Sequence, residues 1–289
     1  MKLLRPTMLS GIPENSFDSE SKCVVCRQHC GRPALLDLFS GAGGAAAGYR
    51  RAGFCVLGID HKPQPRYVPH GGCRFVQADA LEYVAEHGKE FDAIHASPPC
   101  QAYSVLRRAN PEADYPDLIE PTRRTLEAVG TPWVIENVPG APLRFTVVLC
   151  GSMFQLGSGA RQLRRHRLFE TSVLILQPSC LHRGEAIGVY GGGPVGRYTF
   201  ENGAKRDYYH RRGGYQGRVD EKIEAMAITW MNAGELSQAI PPAYTYFIGC
   251  QLMVALGHEP RVWPQKEVPV PVLSPGGVPL PSSMRQEGC

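Results

Sequence analysis

The chain has 289 residues, of which 43% are hydrophobic and 20% are charged, and its formal net charge is +4 at pH 7. This composition is typical of globular domains and excludes a disordered, collagen-like or coiled-coil chain. No uninterrupted apolar stretch reaches the roughly 18 residues needed to span a bilayer, and the N-terminus has no apolar signal segment. The length suits two domains or one elaborated α/β domain, and we expect a soluble, cytoplasmic protein.

The N-terminal 33 residues are polar and show no sustained period, so they are predicted to form an arm rather than a folded layer. Four possible metal ligands lie close together in this arm: Cys23, Cys26, His29 and Cys30. A single CxxC is weak evidence for zinc, although Cys180 and His182 would complete a site if the fold brought them near. We therefore assign no metal, and because no secretory signal is present we expect mostly reduced thiols among the ten cysteines.

From residue 34 onward, short apolar runs alternate with helix-like stretches. The runs that we interpret as strands are 34–39, 55–60, 74–79, 92–97 and 132–138, and the helix-like stretches are 44–53, 80–88 and 117–130. This alternation is typical of repeated βαβ units, so we predict an α/β fold with a mostly parallel sheet and helices on both faces. Ligand-binding residues are then expected where the strands end, at the carboxyl edge of the sheet.

A glycine-rich turn follows the first apolar run, in the segment LDLFSGAGG at residues 36–44. Glycines let the backbone approach a ligand closely, and the helix after the turn offers free N–H groups. Two acids end the next two runs: Asp60 is placed to accept hydrogen bonds from ribose hydroxyls, and Asp79 lies within reach of an adenine edge. The turn alone would also suit a structural role, but the two acids favour a nucleotide-like ligand.

Reactive side chains end the fourth and fifth apolar runs. Cys100 lies in SPPCQAYS, a proline-stiffened loop, and is placed to act as a nucleophile if nearby positive charge favours its thiolate. Glu136 begins ENVPG and could act as an acid if its pKa were raised at this edge. Each residue also has a common structural explanation, a buried thiol for Cys100 and a solvated strand end for Glu136.

Positive charge is concentrated at residues 161–218, which hold eleven Lys or Arg against four Asp or Glu, while the rest of the chain carries a net −3. This concentration suggests a polyanionic partner, and a solvated basic face is the alternative. Glycine-rich and aromatic sequence at 183–218 predicts a loop-rich insertion. Helices are expected near 220–231 and 243–257, and seven prolines from Pro260 onward predict an extended or disordered tail.

Together these segments resemble the cytosine-C5 DNA methyltransferases, which use S-adenosylmethionine (SAM). The similar segments, in family order, are DLFSGAGG at 37–44 for motif I, PPCQ at 98–101 for motif IV, ENV at 136–138 for motif VI, RRHRLF at 164–169 for motif VIII and QAIPPAYTYFIG at 238–249 for motif X. The resemblance covers roughly residues 34–257. It implies a Rossmann-like methyltransferase domain with a small target-recognition insertion.

The resemblance also implies a role for individual residues. Those expected to bind SAM are Phe39, Ser40, Gly41, Gly43, Gly44, Asp60, Asp79 and Pro99. Cys100 would attack C6 of a flipped-out cytosine, and Glu136 would donate a hydrogen bond or proton to N3. Arg165 or Arg167 would hold the O2 side of the base. Because QLRRHR departs from the family's QxRxR spacing, the choice between the two arginines stays open.

The resemblance finally implies an organisation and a partner. The expected segments are a polar arm at 1–33, the catalytic domain at 34–170, a basic target-recognition region at 171–225, C-terminal helices returning to the catalytic domain at 226–258, and a proline-rich tail at 259–289. The expected partner is double-stranded DNA, bound by a monomer in the cytoplasm of a bacterial or phage-infected cell. Two alternatives stay open: methylation of cytosine in RNA, and a catalytically idle DNA-binding regulator of the same fold.

Overall fold

A computed structural model describes residues 23–26, 30–67, 72–103, 112, 114–190, 196–199, 205–208 and 215–262, with the backbone alone at 196–199 and 205–208. The strands are β1 (Ala34–Leu38), β2 (Cys55–Asp60), β3 (Arg74–Gln77), β4 (Ala93–Ala96), β5 (Trp133–Asn137), β6 (Val147–Leu149), β7 (Gly157–Ser158), β8 (Arg161–Leu163), β9 (Arg167–Thr171), β10 (Ala186–Gly188), β11 (Gly196–Thr199), β12 (Lys205–Tyr208) and β13 (Tyr215–Gln216). The helices are α1 (Gly44–Ala52), α2 (Ala80–His87), α3 (Ile119–Val129), α4 (Val219–Met226), α5 (Ala233–Gln238) and α6 (Pro242–Ala255).

The central sheet has seven strands in the order β3-β2-β1-β4-β5-β9-β6. Strands β1 to β5 run parallel, β9 is antiparallel to β5, and β6 is antiparallel to β9. The predicted Rossmann-like α/β fold with a mostly parallel sheet is therefore confirmed. The strand order changes direction between the neighbours β1 and β4, and in open α/β sheets a ligand crevice forms at the carboxyl ends of two such strands.

The observed strands β1 to β5 and helices α1 to α3, in the first half of the chain, follow the sequence pattern closely. The exception is β3, which ends at Gln77 although the apolar run extends to residue 79. Asp79 instead caps α2, because its side chain accepts hydrogen bonds from the backbone N–H groups of Leu81 and Glu82 at 2.8 and 3.0 Å. Such a cap stabilises a helix by about 1 kcal/mol, which favours ending the strand before Asp79.

Apolar side chains cover both faces of the parallel sheet. Alternate residues of β1 lie in different core clusters, with Leu35 in one and Leu36 in the other, as the two-residue period of a strand requires. Helices α1 and α6 pack together on the face of Leu35. Their backbones approach so closely that a Cβ on Gly48 would lie 2.1 Å from Thr245 Oγ1. The C-terminal helix is thereby held against the helix that follows the glycine turn.

The second half of the chain is more broken than its sequence suggests. The predicted helix near 220–231 is two helices, because α4 ends where Ala227 takes a left-handed φ of 52° and α5 begins after an Asn232 cap. The region predicted to be loop-rich contains a two-stranded sheet and much of a four-stranded sheet, in the order β13-β10-β8-β7. Strands of two to four residues are too short to produce a readable alternation. Across the part of the chain that the structure describes, no helix is long and apolar enough to cross a membrane.

Candidate active site

A pocket opens at the carboxyl ends of β1 and β4, where the strand order changes direction. Its cavity volume is about 280 Å³. Residues from the ends of four parallel strands line it, together with residues of the C-terminal helices. The lining includes Asp37, Phe39, Ser40, Gly41, Gly44, Asp60, Ser97, Pro99, Cys100, Glu136, Arg167 and Gln238. The glycine turn, the cysteine loop and the β5 glutamate, which are far apart in sequence, therefore meet in one cavity.

The glycine turn forms one half of this pocket, referred to below as the turn side. Phe39, Gly41 and Gly43 all take left-handed backbone conformations, with φ of 56°, 50° and 83°. The turn is fastened to the next strand, since Gly41 N–H donates to Asp60 Oδ2 at 3.0 Å. Asp60 Oδ1 accepts a further bond from Lys62 N–H at 3.0 Å. Each carboxylate oxygen has two lone pairs, so Asp60 can still accept a ligand hydroxyl.

Two buried polar atoms on the turn side have no hydrogen-bond partner among the described residues: Asp37 Oδ1 and Ser40 Oγ. Burial raises the pKa of Asp37 to about 8, partly offset by a hydrogen bond from the Tyr67 hydroxyl. An unpaired buried polar atom is costly unless a ligand satisfies it. The turn side thus offers a polar ligand two hydrogen-bonding positions, and the sequence analysis missed Asp37 because it lies inside an apolar run.

Cys100, Glu136 and Arg167 form the other half of the pocket, the charged side. Arg167 Nε lies 2.9 Å from Glu136 Oε1 as an ion pair. The N–H does not point at the oxygen, and Glu136 Oε1 has no aligned hydrogen-bond partner in the described part of the chain. Arg167 therefore faces this carboxylate oxygen by charge, without an aligned hydrogen bond.

Both reactive groups of the charged side have raised pKa values. Burial raises the pKa of the Cys100 thiol, the Glu136 carboxylate raises it further, and the Arg167 and Arg165 guanidiniums oppose both effects. Burial also raises the pKa of Glu136, while Arg167, the Ser97 hydroxyl and Arg165 lower it. Glu136 is thereby biased toward the protonated form that can donate a proton or hydrogen bond.

The structure separates the two candidate arginines. Arg167 lines the pocket, whereas Arg165 does not. Arg165 is only 3% exposed, and its guanidinium donates to the backbone carbonyls of Val189, Ser237 and Ala239. Its Nη1 and Nη2 donors bind the junction between the segment after β9 and the C-terminal helices, so Arg167 is the arginine that faces the cavity.

Two of the residues expected to bind SAM, Asp79 and Gly43, do not line the pocket. Asp79 caps α2 and is exposed, so a predicted contact with an adenine edge has no support in the pocket geometry. Gly43 is the N-cap of α1 and shapes the turn through its left-handed backbone. The remaining predicted residues, Phe39, Ser40, Gly41, Gly44, Asp60 and Pro99, do line the cavity.

A buried polar chain behind Glu136 was not anticipated from the sequence. His95 Nδ1 lies 3.0 Å from the Tyr49 hydroxyl, and His95 Nε2 lies 2.8 Å from Ser97 Oγ. Burial lowers the pKa of His95 to about 3, so the imidazole is neutral. The Ser97 hydroxyl in turn lowers the pKa of Glu136, so this polar chain ends beside the carboxyl group. The only sequence signal was a histidine and a serine within an otherwise apolar run.

The candidate metal ligands fall into two separate clusters. Cys23, Cys26 and Cys30 lie with Cys55 at the start of β2, and His29 lies outside the described residues. Cys180 and His182 do not join this cluster. They lie instead with Cys150 and His166, a group that the sequence spacing does not suggest.

Comparisons of the sequence with known proteins find matches in the region that carries much of the site. Residues 34–142 match the family model described as C-5 cytosine-specific DNA methylase. The type II methyltransferase M.FnuDI of Fusobacterium nucleatum is 36% identical over 73 residues, which are 24% of this chain and 21% of the relative. The match therefore spans about a fifth of that relative's length.

Similar solved structures are more distant. A hypothetical protein from Thermus shares 18% identity at a TM-score of 0.30, covering 48% of this chain and 75% of that protein. A SAM-dependent methyltransferase from Agrobacterium tumefaciens shares 16% identity at a TM-score of 0.32, covering 48% of this chain and 55% of that protein. The fold assignment depends on the strand order and not on these matches. The match to the C-5 cytosine-specific DNA methylase family therefore lies in residues 34–142, the part of the chain that carries the glycine turn, Cys100 and Glu136.

Proposed function

We propose that this protein transfers a methyl group from SAM to C5 of a cytosine flipped out of double-stranded DNA, through a covalent bond to Cys100. The observation that carries the proposal is the shared pocket, in which Cys100, Glu136 and Arg167 open onto the same cavity as the glycine turn. A methyl donor and an extruded base could meet there. The family match supports the same chemistry.

The turn side fits SAM. Its unpaired polar atoms, Asp37 Oδ1 and Ser40 Oγ, suit the polar end of the molecule, and Asp60 is placed for ribose hydroxyls. Gln238 lines the cavity where motif X of the family returns to the cofactor. When bound, SAM supplies an electrophilic methyl group on a sulfonium. The residues of the turn side orient it toward Cys100.

The charged side fits the base. C5 of cytosine is a poor nucleophile, so it must first gain electron density. The Cys100 thiolate forms a bond to C6, and the C5–C6 π electrons become available at C5 to attack the methyl group. Transfer of the methyl group leaves S-adenosylhomocysteine. A water molecule then takes the C5 proton, and the S–C6 bond breaks by β-elimination, which regenerates the Cys100 thiolate and leaves 5-methylcytosine.

Glu136 and Arg167 stabilise the charge that develops during this attack. A Glu136 biased toward the protonated form can donate a hydrogen bond or proton to N3 of the ring. Arg167 holds the O2 side and favours the thiolate of Cys100. C6 is shielded inside a stacked duplex, so the base must be extruded at a cost of a few kcal/mol. The positive charge concentrated in residues 161–218 is proposed to hold the DNA backbone during this step.

The direct test is incubation with tritiated SAM and either duplex DNA or tRNA. The proposal predicts label in DNA with the wild-type protein, at least about 10⁴-fold less label with Cys100→Ala, and wild-type label with the matched control Cys250→Ala. Label in tRNA alone would favour the RNA alternative. Label in neither nucleic acid would contradict the enzyme and favour a DNA-binding regulator.

A further inference from the structure

We propose that Cys150, His166, Cys180 and His182 bind a structural zinc ion. Their four ligand atoms all lie within 4.8 Å of one another. The individual contacts are Cys150 Sγ to His182 Nε2 at 3.4 Å, Cys180 Sγ to His166 Nε2 at 3.6 Å, and Cys180 Sγ to His182 Nε2 at 2.9 Å. Two sulfurs and two imidazole nitrogens are a frequent donor set of structural zinc sites.

The spacing suits a tetrahedral ion. Zn–S bonds of about 2.3 Å and Zn–N bonds of about 2.0–2.1 Å at tetrahedral angles separate a sulfur from a nitrogen by about 3.6 Å. Two of the three sulfur–nitrogen distances are within a few tenths of an ångström of this value. The third, between Cys180 and His182, is shorter, but both side chains are exposed and can rotate to widen it.

Apolar packing does not explain why these side chains meet. Cys150 follows β6, His166 precedes β9, and Cys180 and His182 lie within residues 172–185, which are all described and contain no helix or strand. Exposed Cys180 and His182 add little to the core. A metal ion would fasten this irregular stretch to the edge of the sheet, as structural zinc does in small loop-rich units.

A hydroxyl group already lies where a zinc-bound thiolate needs a hydrogen-bond donor. Ser152 Oγ lies 3.4 Å from Cys150 Sγ and 3.5 Å from Cys180 Sγ. Such bonds orient the sulfur ligands and disperse their charge. Two thiolates and two neutral imidazoles balance the +2 charge of the ion, so the half-buried site carries no net charge. Soft sulfur ligands also favour zinc over magnesium or calcium.

The position of His166 gives the site a consequence for the pocket. His166 lies between Arg165, whose donors are bonded to backbone carbonyls, and Arg167, which pairs with Glu136. A metal bond to His166 would fix the chain direction at this point and hold both arginines in place. The ion would act on the charged side of the pocket through these neighbours and without touching the substrate.

A second, independent observation supports another zinc ion. Cys23, Cys26, Cys30 and Cys55 also have all ligand atoms within 4.8 Å of one another, which gives a four-sulfur set. The segment that carries them is packed, since Val25 is fully buried and its carbonyl accepts a bond from Arg74 at 2.9 Å. We propose that this site fastens the N-terminal segment to β2.

The test is the zinc content of the full chain, purified from zinc-supplemented cells and measured by mass spectrometry. The wild type should hold about two zinc ions per chain, while Cys180→Ser or His182→Ala, and separately Cys26→Ser, should each hold about one. The matched controls Cys250→Ser and His87→Ala should keep both ions. No DNA or SAM is used, so the result is independent of the proposed function.

X-ray absorption at the zinc edge keeps the proposal testable if a variant does not fold. In Cys26→Ser, the remaining zinc should show two sulfur ligands at about 2.3 Å and two nitrogen ligands at about 2.0–2.1 Å. In the wild type the average should contain three sulfurs for each nitrogen. Wild-type protein without zinc, or zinc bound only to oxygen and nitrogen, would overturn both sites. A wild-type spectrum of sulfur alone would overturn the Cys150–His182 site.

Discussion

The two sides of the pocket are built in different ways. The turn side comes mostly from one continuous segment and is shaped by backbone, with left-handed residues at Phe39, Gly41 and Gly43 and hydrogen bonds from the turn to Ile59 and Asp60 of β2. The charged side comes from three distant segments that meet only through the sheet. Its geometry depends on the antiparallel register in which Glu136 lies opposite Phe169.

This difference predicts which side of the pocket controls the reaction rate and which side controls ligand binding. On the turn side, a single substitution is expected to remove one hydrogen bond to the ligand and leave the other contacts in place, since each contact is a separate hydrogen bond. The charged side is a coupled unit, because Arg167 lowers the pKa of both Glu136 and Cys100 while Glu136 raises that of Cys100. Substitutions on the charged side are therefore expected to lower the rate, and those on the turn side to weaken SAM binding.

The largest effect among the supporting residues is expected at Glu136. Glu136→Gln keeps the shape but cannot give up a proton, so kcat should fall by about 10²–10⁴-fold while KM for SAM stays within about twofold. Steady-state kinetics with a duplex substrate measure both constants. Exposed Glu127→Gln on α3 is the matched control and should behave as wild type. A Glu136→Gln enzyme with unchanged kcat would remove Glu136 from the mechanism.

The two arginines should separate catalysis from stability. Arg167→Ala should lower kcat by about 10²–10³-fold with a small change in melting temperature, because it removes a donor facing the substrate. Arg165→Ala leaves three backbone carbonyls without their donor, and should cost about 3 kcal/mol of unfolding free energy. Thermal unfolding and single-turnover rates distinguish them. The reverse pattern would make Arg165 the substrate arginine.

The two acids that the sequence predicted to contact SAM, Asp60 and Asp79, should also differ. Asp60→Ala should raise KM for SAM about tenfold with little change in kcat, since the loss is one ligand contact and the bonds from Gly41 and Lys62. Asp79→Ala should leave KM unchanged and cost about 1 kcal/mol of stability, because the side chain caps α2. SAM titrations and melting curves provide the readouts. An Asp79→Ala variant with a raised KM would restore its predicted contact with SAM.

The smallest effect is a shift in the titration of Cys100. Its pKa is raised by burial and by the Glu136 carboxylate, so alkylation by iodoacetamide should be slow at neutral pH and accelerate as pH rises. Glu136→Gln removes the repulsion and should move the half-maximal pH downward. Arg167→Ala removes the opposing positive charge and should move it upward. Peptide mapping of Cys100 alkylation against pH measures both shifts, and shifts of the opposite sign would refute the coupling.

The sequence predicted the turn side well because its determinants are local. Apolar runs, a glycine turn and an acid at a strand end all lie within a few residues of one another, and the parallel sheet then places them at one edge. Cys100 and Glu136 were identified by the same rule, since Cys100 follows β4 in a short loop and Glu136 lies near the end of β5. Asp37 was missed because a buried carboxyl inside an apolar run has no distinguishing local pattern.

The sequence could not assign roles to Arg165 and Arg167 or find the cluster of Cys150 with His182. Both depend on β9 inserting between β5 and β6, which pairs Arg167 with Leu149. The short strand has no strong alternation, and its pairing joins residues that are distant in sequence. Such long-range register decides which arginine faces the cavity, and the motif letters alone do not contain it.

The most direct measurement of the central claim is adduct formation with duplex DNA that contains 5-fluorocytosine. Fluorine at C5 cannot leave as a proton does, so a covalent Cys100–DNA complex should accumulate in the presence of SAM. The account predicts a denaturant-stable complex with the wild type, mapped by mass spectrometry to the Cys100 peptide, and none with Cys100→Ala. A complex that persists in Cys100→Ala, or that maps to another cysteine, would contradict it.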